Sequence, residues 1–270
     1  MINYEDIEIT PETVEQVSAF AKQVEDFRKE GPLDRISLMK LEEHFKSSHV
    51  YHSAGIEGNR LTLQETMLVL RDGLDISGKP LQDSMEVRLL GQAFDYLKTL
   101  AESEQTIRET DIRSLHALLI GNAPELSPGE YRNVGVIISG SEHRPPEPLE
   151  VPERMSALVS WINANRDKNP IISSSVAHHE LTAIHPFKDG NGRVSRLLMN
   201  LILLKHAFPI CNIRRQDRPT YFDALSFADV GIYDSLVRII FDPKCRSFCR
   251  ICTNQDRNQE NNRVGREVGD

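Results

Sequence analysis

Apolar residues recur at helical spacing almost from the start of the chain. Between Pro11 and Glu30 they fall at Val14, Val17, Phe20 or Ala21, and Val24, with charged residues between them. That period predicts an amphipathic helix, and Gly31-Pro32 closes it. A second helix is predicted from about Leu33 to Ala54, with Leu38, Leu41 and Phe45 on one face; Gly55-Ile56-Glu57-Gly58-Asn59 breaks it. Thr62 reads as an N-cap, and Glu65 completes a capping box for a helix up to Leu70. Further helical periods run from Gln82 to Ala101, Thr110 to Ile120, Pro152 to Asn165, Ser173 to Ile184 and Val194 to His206. At least one more lies between Pro219 and Cys252. The convincing strand signal is Val134 to Ser139, where Val134, Val136, Ile137 and Ile138 are β-formers closed by Gly140-Ser141. The pattern predicts an all-α bundle with one short β-hairpin. After Thr253 apolar residues almost vanish, so that tail is expected to be disordered.

Composition narrows the class. A chain of 270 residues can bury a good core, and one domain of ~200 residues with appendages is the natural expectation. The net charge of -8 argues against nucleic acid as a partner, because a phosphate backbone needs a basic footprint. A single nucleotide stays allowed, since one local arginine pair can hold a triphosphate. Met1 to Thr10 shows neither a basic n-region nor an apolar h-region, and the longest apolar stretch, Leu197 to Leu204, is too short for a bilayer. A cytoplasmic protein without membrane contact is expected. With no export signal, Cys211, Cys245, Cys249 and Cys252 then read as reduced thiols, and a metal is disfavoured because Cys249 and Cys252 have no second C-x2-C to pair with.

The chemistry concentrates between Ile184 and Arg196. A histidine, His185, ends one helix; Asp189 follows four positions on; Gly190-Asn191-Gly192 makes a turn; Arg193 and Arg196 open the next helix. Glycines let backbone approach an anion, and a helix N-terminus offers N–H groups and a positive dipole end. Spacing of i, i+3 puts both arginines on one face, within reach of one polyphosphate. Asp189 stands where a Mg²⁺ held by one carboxylate and substrate phosphates would sit, and His185 can take a proton near neutral pH. Simpler readings fail. His179-Glu180 is no zinc-protease helix, because Ala183 replaces the second histidine. Asp189-Gly190-Asn191 is no calcium loop, because Arg193 and Asn200 hold its fifth and twelfth positions, and no Walker-type phosphate loop occurs.

This stretch matches H-x-F-x-[D/E]-G-N-G-R-x-x-R at every fixed position and so resembles the signature of the Fic family. Gly129-Glu130-Tyr131-Arg132, the expected hairpin and Pro145-Pro146 resemble that family's flap region, and the likeness covers roughly Leu81 to Phe241. It implies an N-terminal helical extension over 1–80, a catalytic domain over 81–252 and a tail over 253–270. It also implies transfer of AMP from ATP to a Ser, Thr or Tyr hydroxyl of a target protein. His185 would then be the general base and Asp189 the Mg²⁺ ligand. Gly190, Asn191 and Gly192 would form the anion hole, Arg193 would engage the β-phosphate and Arg196 the γ-phosphate. Phe187 would pack under the loop. Tyr221 resembles a tyrosine of the nucleoside pocket; eight residues on, Asp229 departs from the usual asparagine. The flap, through Val134, Val136, Ile137 and Ile138, would dock the target by backbone hydrogen bonds.

A second match lies earlier. Ser53-Ala54-Gly55-Ile56-Glu57-Gly58 fits the family's inhibitory pattern [S/T]-x-x-x-E-[G/N], with Ser53, Glu57 and Gly58 at its fixed positions. If Glu57 pairs with Arg196, the arginine cannot take the γ-phosphate, and inhibition is intramolecular. Two alternatives stay open: a hydrolase that removes AMP from modified protein with the same residues, and a catalytically silent interaction module. A homodimer is a further partner to be tested.

Overall fold

Ten α-helices form among the residues that the computed structural model describes, 7–29 and 35–242. They are α1 (Pro11–Lys29), α2 (Arg35–Ile56), α3 (Leu63–Asp72), α4 (Leu81–Glu102) and α5 (Glu109–Ile120), followed by α6 (Val151–Ala164), α7 (Pro170–Ile184), α8 (Asn191–Lys205), α9 (Arg218–Ala228) and α10 (Asp234–Phe241). None is long and apolar enough to cross a membrane. Gly31-Pro32, the side chain of Leu38, the cysteines Cys245, Cys249 and Cys252 and the tail after Thr253 lie outside the described residues.

Helix α8 is the axis of the bundle. Its residues from Arg193 to Leu203 are all buried, so it has no solvent face and must be wrapped by other helices. Helix α7 lies along it, with α4 and α5 against its other sides. Leu197, Leu198 and Leu201 of α8 meet Leu90, Phe94 and Leu97 of α4 in one cluster. Each such leucine contributes ~1.5–3 kcal/mol by leaving water. Val50 and Ala54 of α2 belong to the same cluster, so the segment carrying Glu57 packs directly on the motif helices. A second cluster joins α9 and α10 to α7 and α8 through Tyr221, Tyr233, Val176 and Met199. Cys211 is buried there.

The helices follow the sequence pattern with informative departures. Thr62 caps α3 in the expected box, accepting from Glu65 N–H at 3.2 Å while Thr62 N–H donates to Glu65 Oε2 at 2.7 Å. Helix α7 starts at Pro170, because Asn169 Oδ1 caps Ile171 N–H and a proline suits the first turn. Helix α8 starts at Asn191, inside the glycine turn. The region after Pro219 holds two helices, α9 and α10.

The expected hairpin is not formed. Residues 133–146 run as a loop with a turn at Gly140, where Ser141 N–H donates to Ile138 O at 3.2 Å. Its ends are held by the Arg132 guanidinium instead, which donates to Val134 O at 3.0 Å and to Pro146 O at 2.6 Å. β-Forming residues need a pleated surface to pack on, and Val134 and Ile137 are 50% and 75% exposed with none beneath them.

Candidate active site

Helix α7 ends at His185, which adopts the left-handed conformation (φ 50°, ψ 57°) as its C-cap. That turn aims the chain into the loop 186–190 and leaves the imidazole half-buried at the bundle's end. Its Nδ1–H donates to Thr182 O at 3.2 Å, which leaves Nε2 as the free lone pair. Burial pushes the pKa of His185 below the ordinary value of 6.5; the Thr182 bond opposes this and the Arg132 cation adds to it. The ring is therefore neutral, and able to accept a proton, at neutral pH.

The loop is closed by its own side chains. Asn191 accepts from Phe187 N–H at 2.9 Å and donates to Phe187 O at 2.9 Å, so its carboxamide is used inside the protein. Phe187 is buried and stacks on His116 with centroids 3.7 Å apart and rings 6° from parallel. Gly190 takes φ 77°, and a Cβ there would lie 2.8 Å from Leu119. Gly190→Ala is therefore expected to cost ~1–3 kcal/mol of stability, read as an earlier midpoint in urea unfolding. An unchanged midpoint would contradict that reading of the turn.

Both arginines are buried, with Arg196 2% and Arg193 9% exposed. Arg196 Nη2 lies 2.7 Å from Glu57 Oε1, and its Nε and Nη2 also donate to Ser53 Oγ and Ser53 O at 2.9 and 3.0 Å. A Cβ on Gly192 would stand 2.6 Å from Glu57 Oε1, so this carboxylate rests directly over the N-terminus of α8. Gly58, at φ 103°, lets the chain turn just after Glu57. Arg193 Nη1 pairs with Glu86 Oε1 at 2.6 Å and Nη2 with Asp189 Oδ2 at 3.1 Å, while its Nε is buried without a partner. The Asp189 side chain is 56% exposed, a hard oxygen donor beside the glycine turn. It fits a Mg²⁺ that takes most of its ligands from phosphates and water.

The two residues of the expected nucleoside pocket have different surroundings. Tyr221 is buried below the arginines, its hydroxyl 2.8 Å from His178 Nε2 and next to the Arg196 guanidinium. Asp229 lines a cavity of about 450 Å³ with His143, Ala183 and Ile184, on the side of the 133–146 loop. Its Oδ1 meets His179 Nε2 at 2.9 Å. Burial works against charge on His179, but its bonds to Asp229 and Glu180 outweigh that and raise its pKa.

A family model described as Fic/DOC family matches residues 106–203. A protein adenylyltransferase Fic from Culex quinquefasciatus is 35% identical over 208 residues, 76% of this chain and 41% of its own length. One from Nematostella vectensis is 36% identical over 195 residues, 71% of this chain and 45% of its own. A solved structure of a Fic-1 point variant from C. elegans is 31% identical, covers 84% of this chain and 70% of that one, and superposes with a TM-score of 0.71. The chain belongs to the Fic/DOC family. It spans about two fifths of the length of the curated relatives it matches.

The Fic motif leans on residues outside it. His116, on α5, takes Gly129 N–H on Nδ1 at 2.9 Å and reaches Asp189 O with Nε2 at 3.1 Å, so it joins the glycine turn to the base of the flap loop. Burial lowers its pKa to about 4, which keeps Nδ1 free to accept. Arg132 Nε donates to His185 O at 2.8 Å and fixes the loop from the other side. Glu86 was invisible to motif reasoning, because a single glutamate on an amphipathic helix has no local signature. The stretch Gly129 to Arg132 did resemble the family's flap region, and that resemblance pointed to Arg132 without giving it a contact.

Proposed function

We propose that the chain transfers AMP from ATP to a hydroxyl of a target protein and is held inactive by its own Glu57. The observation that carries this reading is the Glu57 carboxylate, seated against Gly192 and Arg196 where the motif offers an anion site. The relatives' name, protein adenylyltransferase, supports the reaction class. In the forward step the target hydroxyl oxygen attacks the α-phosphorus, its proton passes to His185 Nε2, and the bond to the β-phosphate oxygen breaks, releasing pyrophosphate. Arg193 and the N–H groups at Gly190, Asn191 and Gly192 hold the β-phosphate, and Arg196 the γ-phosphate, once Glu57 moves aside. Asp189 would hold Mg²⁺, which neutralises phosphate charge. Position and charge do most of the work, as is usual for transfer at phosphorus.

Asp229 is proposed to face the nucleoside, where its carboxylate can only accept, from ribose hydroxyls or a base N–H. Competition among ATP, GTP and UTP for transfer checks the choice of base. The 133–146 loop is proposed to dock the target through its exposed backbone. Proline at Ile137 should weaken target modification more than ATP binding; equal loss of both would count against docking. A neutral base sets the pH dependence. In a Glu57→Gly protein, kcat/KM for ATP should be flat above the ordinary histidine value of 6.5 and fall only below it. An acidic limb centred above that value would remove His185 as the base.

Removal of AMP is the second reading. The Glu57 side chain is 36% exposed, so it also meets solvent and could orient a water toward a modified protein. Hydrolysis of a pre-modified target that stops in Glu57→Gly would favour it.

A further inference from the structure

Glu86 sits on α4, outside every matched motif, and each of its oxygens has a different task. Oε1 receives Arg193 Nη1 at 2.6 Å. Oε2 receives Asn59 Nδ2 at 2.8 Å. Asn59 is 5% exposed and belongs to the same turn as Glu57: Glu57 N–H and Asn59 N–H both donate to Ala54 O, at 3.0 and 3.1 Å. The Asn59 carboxamide also donates to Asp83 O at 3.0 Å and accepts from Leu61 N–H at 3.1 Å. Asn59 thus staples the turn to α4, and Glu86 continues the staple to Arg193.

We propose that Glu86 is a positioning residue that joins the two arginine contacts into one unit. One oxygen orients Arg193; the other, through Asn59, keeps the turn where Glu57 can hold Arg196. The inference rests on the reading of Glu57 as inhibitory and deepens it by naming what holds the inhibitory turn in place. A carboxylate can accept both bonds at once, whereas a glutamine has one oxygen and would set an amide N–H₂ against either Arg193 or Asn59. A phosphate that draws Arg193 away would also weaken the support of the turn, so filling the β-phosphate site favours release of Glu57. Linkage makes that coupling reciprocal.

Two measurements test the staple, one of them independent of activity. Hydrogen exchange of the segment 54–61 should be about fivefold faster in Glu86→Gln than in the native protein, as loss of one such bond allows, with α6 exchange unchanged. Asn59→Ala should raise AMP transfer about tenfold in the native background and add nothing once Glu57→Gly is present. A gain of activity is a result that damage to the fold cannot supply. Unchanged exchange at 54–61 overturns the proposal whatever the transfer assay gives. So does an Asn59→Ala effect of equal size with and without Glu57. If Glu57→Gly itself transfers no AMP, the inhibitory reading fails, and the exchange result alone decides whether Glu86 supports the turn.

Discussion

His185→Ala is expected to lower AMP transfer by ~10²–10⁴-fold, the usual contribution of a positioned base, while ATP still binds. The imidazole is half-buried at the end of α7, outside both hydrophobic clusters, so its loss opens no core cavity. The backbone of the loop is fixed by other groups: Arg132 on His185 O, Asn191 on both polar atoms of Phe187, and His116 on Asp189 O. On the proposed reading the phosphate contacts come from Arg193, Arg196 and the turn, and none depends on the ring. Calorimetry with ATP and transfer of label from the α-phosphate, both on a Glu57→Gly background, separate the two effects. Near-native transfer would remove His185 from the mechanism; loss of ATP binding would mean the ring supports the loop.

Glu57→Gly is expected to carry the other large effect, a rise in AMP transfer onto target and onto the protein itself. The cause is competition for one guanidinium. Arg196 Nη2 faces Glu57 Oε1 at 2.7 Å, and a carboxylate there excludes a γ-phosphate from the same donor. A coupling of ~1–3 kcal/mol, usual for regulatory contacts, corresponds to roughly 5–150-fold in the competent population. Ser53 keeps two bonds to Arg196, so the freed guanidinium stays aimed at the site. Stability should move the opposite way. Removing the partner leaves a buried arginine charge, and because Glu57 is partly exposed the cost is about 1–2 kcal/mol, reversed when ATP binds. A lower melting temperature that ATP restores is the expected signature. Arg196→Ala should not activate, since it removes the inhibitory contact and the γ-phosphate contact together.

Local chemistry made part of this site legible in sequence. Two glycines and two arginines at fixed spacing specify a turn and a helix N-terminus, and the structure builds both from Gly190 to Arg196. The pairing of Glu57 with Arg196 came from the resemblance to the family's inhibitory pattern, since a glutamate past a helix end is unremarkable by itself, and the two side chains do meet. The Thr62 box was readable because capping is decided within four residues. What escaped depends on partners far along the chain. Glu86 meets Arg193 across 107 positions, and His116 meets Asp189 across 73, separations that no periodicity encodes. The hairpin failed for the converse reason. Its residues have strand propensity, but Arg132 holds the loop ends and no surface pairs with Ile137. Tyr221, which the resemblance places in a nucleoside pocket, is buried beside Arg196, and a tyrosine's apolar body and hydroxyl suit a pocket wall or a core alike.

The most direct measurement is the intact mass of Glu57→Gly protein after incubation with Mg²⁺ and ATP, beside the native chain and the Glu57→Gly, His185→Ala double variant. Adenylyl transfer under Glu57 control predicts a gain of whole AMP units in the single variant, little in the native chain and none in the double variant. Equal modification of native and Glu57→Gly protein, or none in either with any nucleotide or target offered, would contradict it.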